Sequence, residues 1–169
     1  MSHKKFMKIA LEEAQSALYS GEFPVGAVLE YQGKIICSGK RSGSMGRFAN
    51  ETDHAEIIAL KQFYNRGMSI SLEKTTLYCT LEPCLMCFGA ILISGINKIV
   101  YAYEDAMGGG TSCDLNCLPP LYNENKISII SGFMRKQSLK LFSEFFSNPQ
   151  NSYLHGTYLK DYTLKQSLL

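Results

Sequence analysis

The sequence predicts an α/β fold in which one mixed sheet carries helices on both faces. Two observations support this prediction. Short apolar, β-branched runs alternate with segments of helical periodicity, and the first two runs are separated only by a tight Gln32-Gly33 turn. The later crossover connections are expected to be right-handed. A chain of 169 residues suits one compact domain and is too short for two.

The individual elements follow from the hydrophobic pattern. Apolar residues at helical spacing predict a first helix over residues 2–19, which Gly21 ends. Strands are predicted at 25–29, 35–37, 76–80, 99–103 and 127–130. A loop over 39–52 precedes a helix that Thr52 or Asp53 caps. Further helices are predicted after the third and the fifth strand, and Pro149 ends the last one.

Two short segments supply a set of metal ligands, His54-Ala55-Glu56 and Pro83-Cys84-Leu85-Met86-Cys87. Cysteines three apart share one side of a helical turn, so both sulfurs can reach one ion, and Pro83 suits the opening position of that helix. A histidine at the start of another helix adds a third ligand. Sulfur and nitrogen ligands favour zinc, and three protein ligands leave a fourth tetrahedral position open. We therefore predict one catalytic Zn²⁺ per chain, held by His54, Cys84 and Cys87.

Glu56 is predicted to be the catalytic residue that moves protons. It lies two residues after His54, too close along a helix to be a fourth ligand from the same face. Zinc lowers the pKa of a bound water to roughly 7, and a neighbouring carboxylate can then take the proton. H-x-E followed by P-C-x-x-C is the signature of zinc nucleobase deaminases. The backbone N–H of Cys84, at a helix start, is expected to support the oxygen that gains charge.

Composition restricts the possible partners and compartments. The 17 basic and 15 acidic side chains leave a net charge of +2, which does not indicate the dense basic stripe of a protein that tracks many phosphates. No apolar run is long enough to span a membrane, and Glu12 and Glu13 interrupt any signal-peptide core, so we expect a cytoplasmic protein. Cys37 and Cys79 are expected to be buried thiols, whereas the role of Cys113 and Cys117 stays open.

These motifs resemble the cytidine/deoxycytidylate deaminase superfamily. Within it, the chain is most similar to bacterial tRNA-specific adenosine deaminases and to related free-base (guanine/cytosine-type) deaminases. The resemblance covers about residues 6–146, and its most specific pieces are 23–28, 54–56, 80–87 and 89–91. It implies a three-layer α/β/α fold with a five-stranded mixed sheet, and a homodimer. Residues 1–146 would then form the zinc deaminase domain. Residues 147–169 would form a C-terminal tail that either covers the active site or docks elsewhere.

The resemblance also implies hydrolytic conversion of a ring amino group to a carbonyl, with release of ammonia. Four residues are candidates for substrate binding. Phe23 stacks on the base or belongs to the core, and Asp53 accepts a hydrogen bond from the substrate or caps its helix. Asp105 stands where tRNA enzymes place a ribose-contacting aspartate, or it caps its own loop. Those enzymes carry a base-binding asparagine at the end of the second strand; the corresponding stretch here reads Gly39-Lys40-Arg41, and Asn50 could take that place only through a different loop path.

Four functions remain open from the sequence, one of them a redox protein that uses Cys84 and Cys87. The absent asparagine and the absent basic surface favour a small substrate, a free nucleobase or nucleoside, over tRNA. The alternative is a tRNA-specific adenosine deaminase that converts the wobble adenosine to inosine. The non-enzyme alternative is a structural zinc-binding module, which needs a fourth protein ligand that the motifs do not supply.

Overall fold

The computed structural model describes residues 3–46 and 48–166. It contains five strands: β1 Gly26–Tyr31, β2 Lys34–Lys40, β3 Thr75–Leu81, β4 Lys98–Tyr103 and β5 Ser128–Ile130. The helices are α1 His3–Tyr19, α2 Ala55–Asn65, α3 Leu85–Ile93, α4 Pro120–Asn123, α5 Arg135–Ser147 and α6 Tyr158–Gln166. Every strand predicted from the sequence is present, with bounds that differ by up to three residues at an end. Position 2, the predicted start of the first helix, lies outside the described residues.

The strands form one mixed sheet in the order β2-β1-β3-β4-β5. β1 runs antiparallel to both β2 and β3, whereas β3, β4 and β5 are parallel. Gln32 and Gly33 both have positive φ, 49° and 80°, as expected for the two-residue turn that matches the twist of a hairpin. The predicted fold class, a five-stranded mixed sheet with helices, is confirmed.

Side chains alternate between the two faces of the sheet, and each face is covered by helices. On one face, Val28, Tyr78 and Val100 pack with Phe6 and Met7 of α1. On the other face, the intervening strand residues pack with α2 and α3, as the following buried residues show: Ala27, Leu29, Leu77, Cys79 and Ile99 with Ala55, Ala59, Phe88 and Ile91. The thiols of Cys37 and Cys79 are buried, as predicted.

The directions of the strands bring three chain segments to one edge of the sheet. Because β2 and β3 are both antiparallel to β1, they run the same way, and β4 is parallel to β3. The carboxyl ends of all three strands therefore meet at the same edge, where ligands bind in open α/β sheets. Arg41 follows β2, the Pro83-Cys84 segment follows β3, and Asp105 follows β4.

The helix starts differ from the sequence prediction. His54 itself occupies the N-cap position of α2, and neither Thr52 nor Asp53 does. The carboxylate of Asp53 accepts hydrogen bonds from Asn50 Nδ2 at 2.7 Å and Lys61 Nζ at 3.2 Å, so it is not available to cap the helix. Pro83 is likewise not the first helical residue. Cys84 is the extended N-cap of α3, because it forms a β-bridge with Gly109.

The C-terminal segment contains a helix that the sequence analysis did not predict. α6 packs against α5, and Leu159 and Thr163 are its buried residues. None of the helices within residues 3–46 and 48–166 has the length and apolarity that crossing a membrane requires.

Candidate metal centre and substrate cavity

Three possible metal ligands converge where α2 and α3 begin. His54 is the N-cap of α2, Cys84 is the N-cap of α3, and Cys87 lies in the first turn of α3. His54 Nδ1 is 3.5 Å from Cys84 Sγ and 3.4 Å from Cys87 Sγ. All three ligand atoms lie within 4.8 Å of one another. The sequence therefore identified correctly which side chains come together.

The geometry of this group fits a tetrahedral zinc ion. Zn–S bonds of about 2.3 Å and Zn–N bonds of about 2.0–2.1 Å, at a tetrahedral angle, separate sulfur from nitrogen by about 3.5–3.6 Å. The two observed S···N distances match this value. No fourth histidine, cysteine or acidic side chain joins the group among the described residues, and none forms a second such group with Cys113 or Cys117. A three-ligand set is the arrangement of catalytic sites.

The pKa values of the two thiols shift in opposite directions. The hydrogen bond from Cys87, together with His54, lowers the pKa of Cys84 to about 4, despite its partial burial. The same contact with Cys84 raises the pKa of Cys87, and burial adds to the rise. A divalent cation would bind both sulfurs as thiolates.

Glu56 lies beside the ligand group in the first turn of α2. Its carboxylate is buried, and Oε2 is 3.6 Å from Cys87 Sγ. Burial raises the pKa of Glu56, because it disfavours the charged form. A carboxyl group with a raised pKa next to a metal site can both accept and return a proton.

A cavity of about 210 Å³ opens next to the ligand group. Its walls come from six parts of the chain: the segment before β1, the loop between β2 and α2, the first turn of α2, the end of β3 with the segment after it, the segment after β4, and the C-terminal segment. The lining residues are Phe23, Val25, Arg41, Glu51, His54, Ala55, Glu56, Leu81, Glu82, Cys84, Asp105, Met107, Gly108, Tyr153, Leu154 and Leu159.

The family model for the cytidine and deoxycytidylate deaminase zinc-binding region matches residues 1–103, a span that contains His54, Glu56, Cys84 and Cys87. This chain belongs to that family of zinc-binding deaminases. The resemblance stated from the sequence motifs is confirmed.

Two solved structures and one curated relative give the comparison more detail. The tRNA-specific adenosine deaminase of Aquifex aeolicus is 36% identical over 154 residues, which cover 90% of this chain and 99% of the relative. A structure from studies of A-to-I editing by tRNA:A34 deaminases at the wobble position has a TM-score of 0.70 at 31% identity, covering 82% of this chain and 99% of the other. Guanine deaminase from Nitrosomonas europaea has a TM-score of 0.69 at 23% identity, covering 85% and 84%, and supports the fold alone.

Two of the predicted substrate residues of this deaminase line the cavity. Phe23 does so while it packs on Phe142 and Phe145 of α5, with ring centroids 5.1 and 5.3 Å apart, so it belongs to both the wall and the core. Asp105 also lines the cavity, and its Oδ1 accepts the N–H groups of Met107 at 3.0 Å and Gly108 at 2.8 Å. Burial raises the pKa of Asp105, although these two hydrogen bonds oppose the shift.

The other two predicted residues do not line the cavity of the deaminase. Asn50 and Asp53 bind each other, and Asn50 Oδ1 also accepts the backbone N–H of Thr52 at 3.0 Å. Their side chains stabilise the loop that leads into α2, so the structure gives no support for direct contact with a substrate. Glu51, between them, does line the cavity.

Glu82 positions the loop on the far side of the deaminase cavity. Its carboxylate accepts hydrogen bonds from the backbone N–H groups of Asp105 at 3.2 Å and Thr111 at 3.3 Å. The loop passes so close to α3 that a Cβ atom on Gly110 would lie 2.7 Å from Leu85 Cα. This close approach explains why residue 110 is a glycine.

The sequence analysis assigned no substrate role to several residues that line the cavity of the deaminase, namely Arg41, Glu51, Tyr153, Leu154 and Leu159. Arg41 could have been predicted to line the cavity, because it follows β2 and the Cys84 segment follows β3. Both strands end at the same edge of the sheet. Tyr153 carries no comparable signal, since only the path of the chain after α5 brings its ring to the site.

Proposed function

We propose that this deaminase converts adenosine to inosine in tRNA, with water consumed and ammonia released. The main support is that the match to the tRNA-specific adenosine deaminase of Aquifex aeolicus extends over 99% of that relative. The free base or nucleoside favoured from the sequence becomes the second candidate. A low net charge argues against a long groove that tracks phosphates. It does not argue against recognition of a single nucleotide in an RNA loop.

The residues of this chain divide the chemistry between them. Zn²⁺ held by His54, Cys84 and Cys87 would act as a Lewis acid that lowers the pKa of water. Glu56 takes a proton from the attacking water and gives it to the ring nitrogen beside the carbon that bears the amino group. Glu56 then moves the hydroxyl proton to the amine, which leaves as ammonia while the ring keeps a carbonyl. The backbone N–H of Cys84 is proposed to support the developing oxyanion.

The size of the cavity favours a substrate that enters one ring at a time. About 210 Å³ is less than the 300–1,000 Å³ typical of pockets for drug-sized ligands. A base must therefore leave its stack and enter alone, while the rest of the RNA stays outside. A cavity of this size also suits a free base. For this reason a free base or nucleoside remains the second candidate substrate.

We further propose that the C-terminal segment, residues 147–169, covers one side of the active site of the domain formed by residues 1–146. Tyr153, Leu154 and Leu159 contribute to the cavity wall. Two hydrogen bonds tie α6 to the end of β4: Tyr103 Oη donates to Thr163 Oγ1 at 3.1 Å, and Tyr162 Oη donates to Glu104 at 2.8 Å. Residues 167–169 lie outside the described part of the chain.

A homodimer is proposed through the outer face of α3. Leu85 and Ile93 are 63% and 60% exposed, and Met86 is 40% exposed. Large apolar side chains clustered on one exposed helix mark an interaction surface. Leu85 directly follows Cys84, so a second copy bound to this face would lie next to the cavity.

The substrate is tested with RNA and small molecules in parallel. The zinc-loaded protein is incubated with an anticodon stem-loop that carries adenosine at the wobble position. The control is the same hairpin with guanosine there. We expect inosine in the nuclease digest of the first hairpin only. Ammonia from free guanine, cytosine or adenine without inosine in the RNA would replace the tRNA proposal with the free-base candidate.

A further inference from the structure

Leu154 combines an unfavourable backbone conformation with a position in the cavity wall. Its φ is 56°, in the left-handed region that glycine and asparagine adopt most readily. Within residues 3–46 and 48–166, three residues other than glycine have positive φ, and of these only Leu154 lines the cavity. For a bulky side chain this conformation costs free energy, so it persists only where the surrounding structure imposes it.

Hydrogen bonds fix the turn that contains Leu154. The backbone N–H of His155 donates to the carbonyl of Ser152 at 3.1 Å, which makes Leu154 the third residue of a four-residue turn. A positive φ at this position is typical of a type II turn, in which glycine or asparagine is the usual residue. The carbonyl of Leu154 accepts the backbone N–H of Thr157 at 3.3 Å and the Thr157 hydroxyl at 2.7 Å. The backbone is therefore held on both sides of Leu154.

The side chain of Leu154 lies on the inner side of this turn. Ser152 and His155 are exposed, whereas Leu154 is half-buried. It packs against the main cluster of buried apolar residues, which also contains Phe23 and Leu159 of the cavity wall. Leu154 therefore belongs to an apolar part of the wall, where a substrate meets shape and no hydrogen-bonding group.

A second position in the same segment shows the contrast. Gly156 has a φ of 77°, and a Cβ atom there would have no other atom within 4 Å. The segment thus has glycine where the backbone is left-handed and the side chain would meet open space. It has leucine where the backbone is left-handed and the residue lines the cavity. We conclude that the side chain at position 154 matters for the cavity.

We propose that Leu154 selects the substrate by the size of its ring. The leucine side chain closes one edge of the cavity, so a ring that carries an additional group on that edge does not fit. An apolar wall discriminates by about 10- to 200-fold for each methylene-sized difference. The inference rests on the deaminase activity proposed above, and it applies both to an adenosine in RNA and to a free base.

A purely structural role for Leu154 makes a different prediction. If the side chain only packs against the core, its truncation would slow the reaction of every substrate by the same factor. A residue that closes one edge of the cavity instead changes the ratio of rates between substrates that differ in size at that edge.

The test adds a methyl group to one edge of the ring at a time. Adenine carries hydrogen on two ring carbons, C2 and C8, so a methyl group at either position enlarges the ring and removes no hydrogen-bonding group. Adenosine, 2-methyladenosine or 8-methyladenosine is placed at the wobble position of the anticodon stem-loop, and kcat/KM is measured for each. For the wild type we expect at least one analogue to react at least about tenfold more slowly than adenosine. Reaction of both analogues within about threefold of adenosine would overturn the proposal.

Three variants assign the effect to Leu154. Leu154→Ala should raise the rate of the excluded analogue relative to adenosine by at least about tenfold, because it leaves space for a methyl group. Leu154→Met nearly conserves the volume and should keep the wild-type ratio within about threefold. Leu11→Ala, at a half-buried leucine of α1 outside the cavity wall, is the matched control and should also keep this ratio. Wild-type ratios for both analogues in Leu154→Ala would reject Leu154 as the selecting residue.

The backbone conformation is tested without a substrate. Leu154→Gly and Leu154→Ala both remove the side chain, but glycine alone adopts a positive φ freely. The Tm of Leu154→Gly should therefore lie at least about 2 °C above that of Leu154→Ala. At Leu11, inside α1, the order should be the reverse, because glycine destabilises a helix interior relative to alanine. A Leu154→Gly protein that unfolds at or below the Tm of Leu154→Ala would reject the strained conformation on which the proposal depends.

The kinetic test also separates this proposal from the choice of substrate. If the wild type leaves RNA unchanged and deaminates a free base, the RNA proposal fails. The same variants are then compared on that base and on its ring-methylated forms, with the same expected and contradicting ratios.

Discussion

The guanidinium of Arg41 lies over the ring of Tyr153, 5.5 Å from its centroid, although 112 residues separate the two along the chain. Tyr153 Oη in turn donates to Glu51 at 2.7 Å, and its ring packs on Phe23 with centroids 5.4 Å apart. The C-terminal segment is therefore part of the cavity wall.

Replacing Tyr153 tests the contribution of this segment. Tyr153→Ala removes the ring that covers Arg41 and Phe23, so we expect KM for the substrate to rise about tenfold, within the range of a lost aromatic contact at a base. Tyr153→Phe keeps the ring and should change KM by less than about threefold. Steady-state kinetics with the hairpin substrate measures both. An unchanged KM in Tyr153→Ala would remove the segment from the substrate site.

Glu56→Gln should keep zinc and lose activity. The amide has nearly the same shape but cannot carry the proton, so we expect turnover to fall by about 10²–10⁴-fold. Metal analysis and ammonia release measure the two effects separately. Glu73→Gln, at an exposed position, is the matched control and should behave as the wild type. Ammonia release at the wild-type rate from Glu56→Gln would reject the proton-transfer role.

Cys87→Ala should lose the metal. It removes one of three ligands from a group whose atoms lie within 4.8 Å of one another, and a buried thiol is lost as well. We expect zinc content below about 0.1 per chain, and a thermal midpoint that a chelator no longer lowers, whereas a chelator should lower it in the wild type. Cys117→Ala, at an exposed thiol, should keep wild-type zinc content. Full zinc occupancy in Cys87→Ala would overturn the ligand assignment.

Acid should weaken the attachment of α6. Burial by itself would raise the pKa of Glu104, but hydrogen bonds from Arg135, its own backbone and Tyr162 lower it below the ordinary 4.5. A lowered pKa means that the folded state favours the carboxylate. The ionised Glu104 therefore contributes its full stabilisation of the folded state above about pH 4.5. This contribution is lost as the pH falls through the folded-state pKa of Glu104.

The corresponding measurement is urea unfolding of the wild type and Glu104→Gln between pH 3 and 7. Because both side chains of the Arg135–Glu104 pair are about a third exposed, we expect a difference of about 1 kcal/mol or less at pH 7 that shrinks towards pH 3. A difference that grows on acidification would contradict the assigned direction of the pKa shift.

Ile93→Glu should dissociate the proposed dimer. A carboxylate on the exposed apolar face of α3, at the carboxyl end of the helix, would have to be buried without a partner in a symmetric interface. Sedimentation velocity should show a dimer for the wild type and a monomer for the variant. Tyr64→Glu, on an exposed part of α2, should remain dimeric. A wild-type monomer at micromolar concentration would remove this interface.

The sequence by itself determined the strands, the family and the three possible metal ligands. These features depend on local rules, because strand alternation has a period of two and residues three apart in a helical turn face the same way. His54, Glu56, Cys84 and Cys87 could therefore be named with their order and spacing alone. The cysteines needed no knowledge of the sheet, since one turn of α3 brings both sulfurs towards the same point.

Only the tertiary structure decided the caps, the cavity walls and the placement of the C-terminal segment. Asp53 does not cap α2, because Asn50 and Lys61 hold its carboxylate, and Cys84 replaces Pro83 at the start of α3 because Gly109 pairs with it. Arg41 and Tyr153 meet because β2 ends at the same edge of the sheet to which the chain returns after α5. Contacts of this kind depend on how distant segments pack together, so the periodicity of residues within one segment does not predict them.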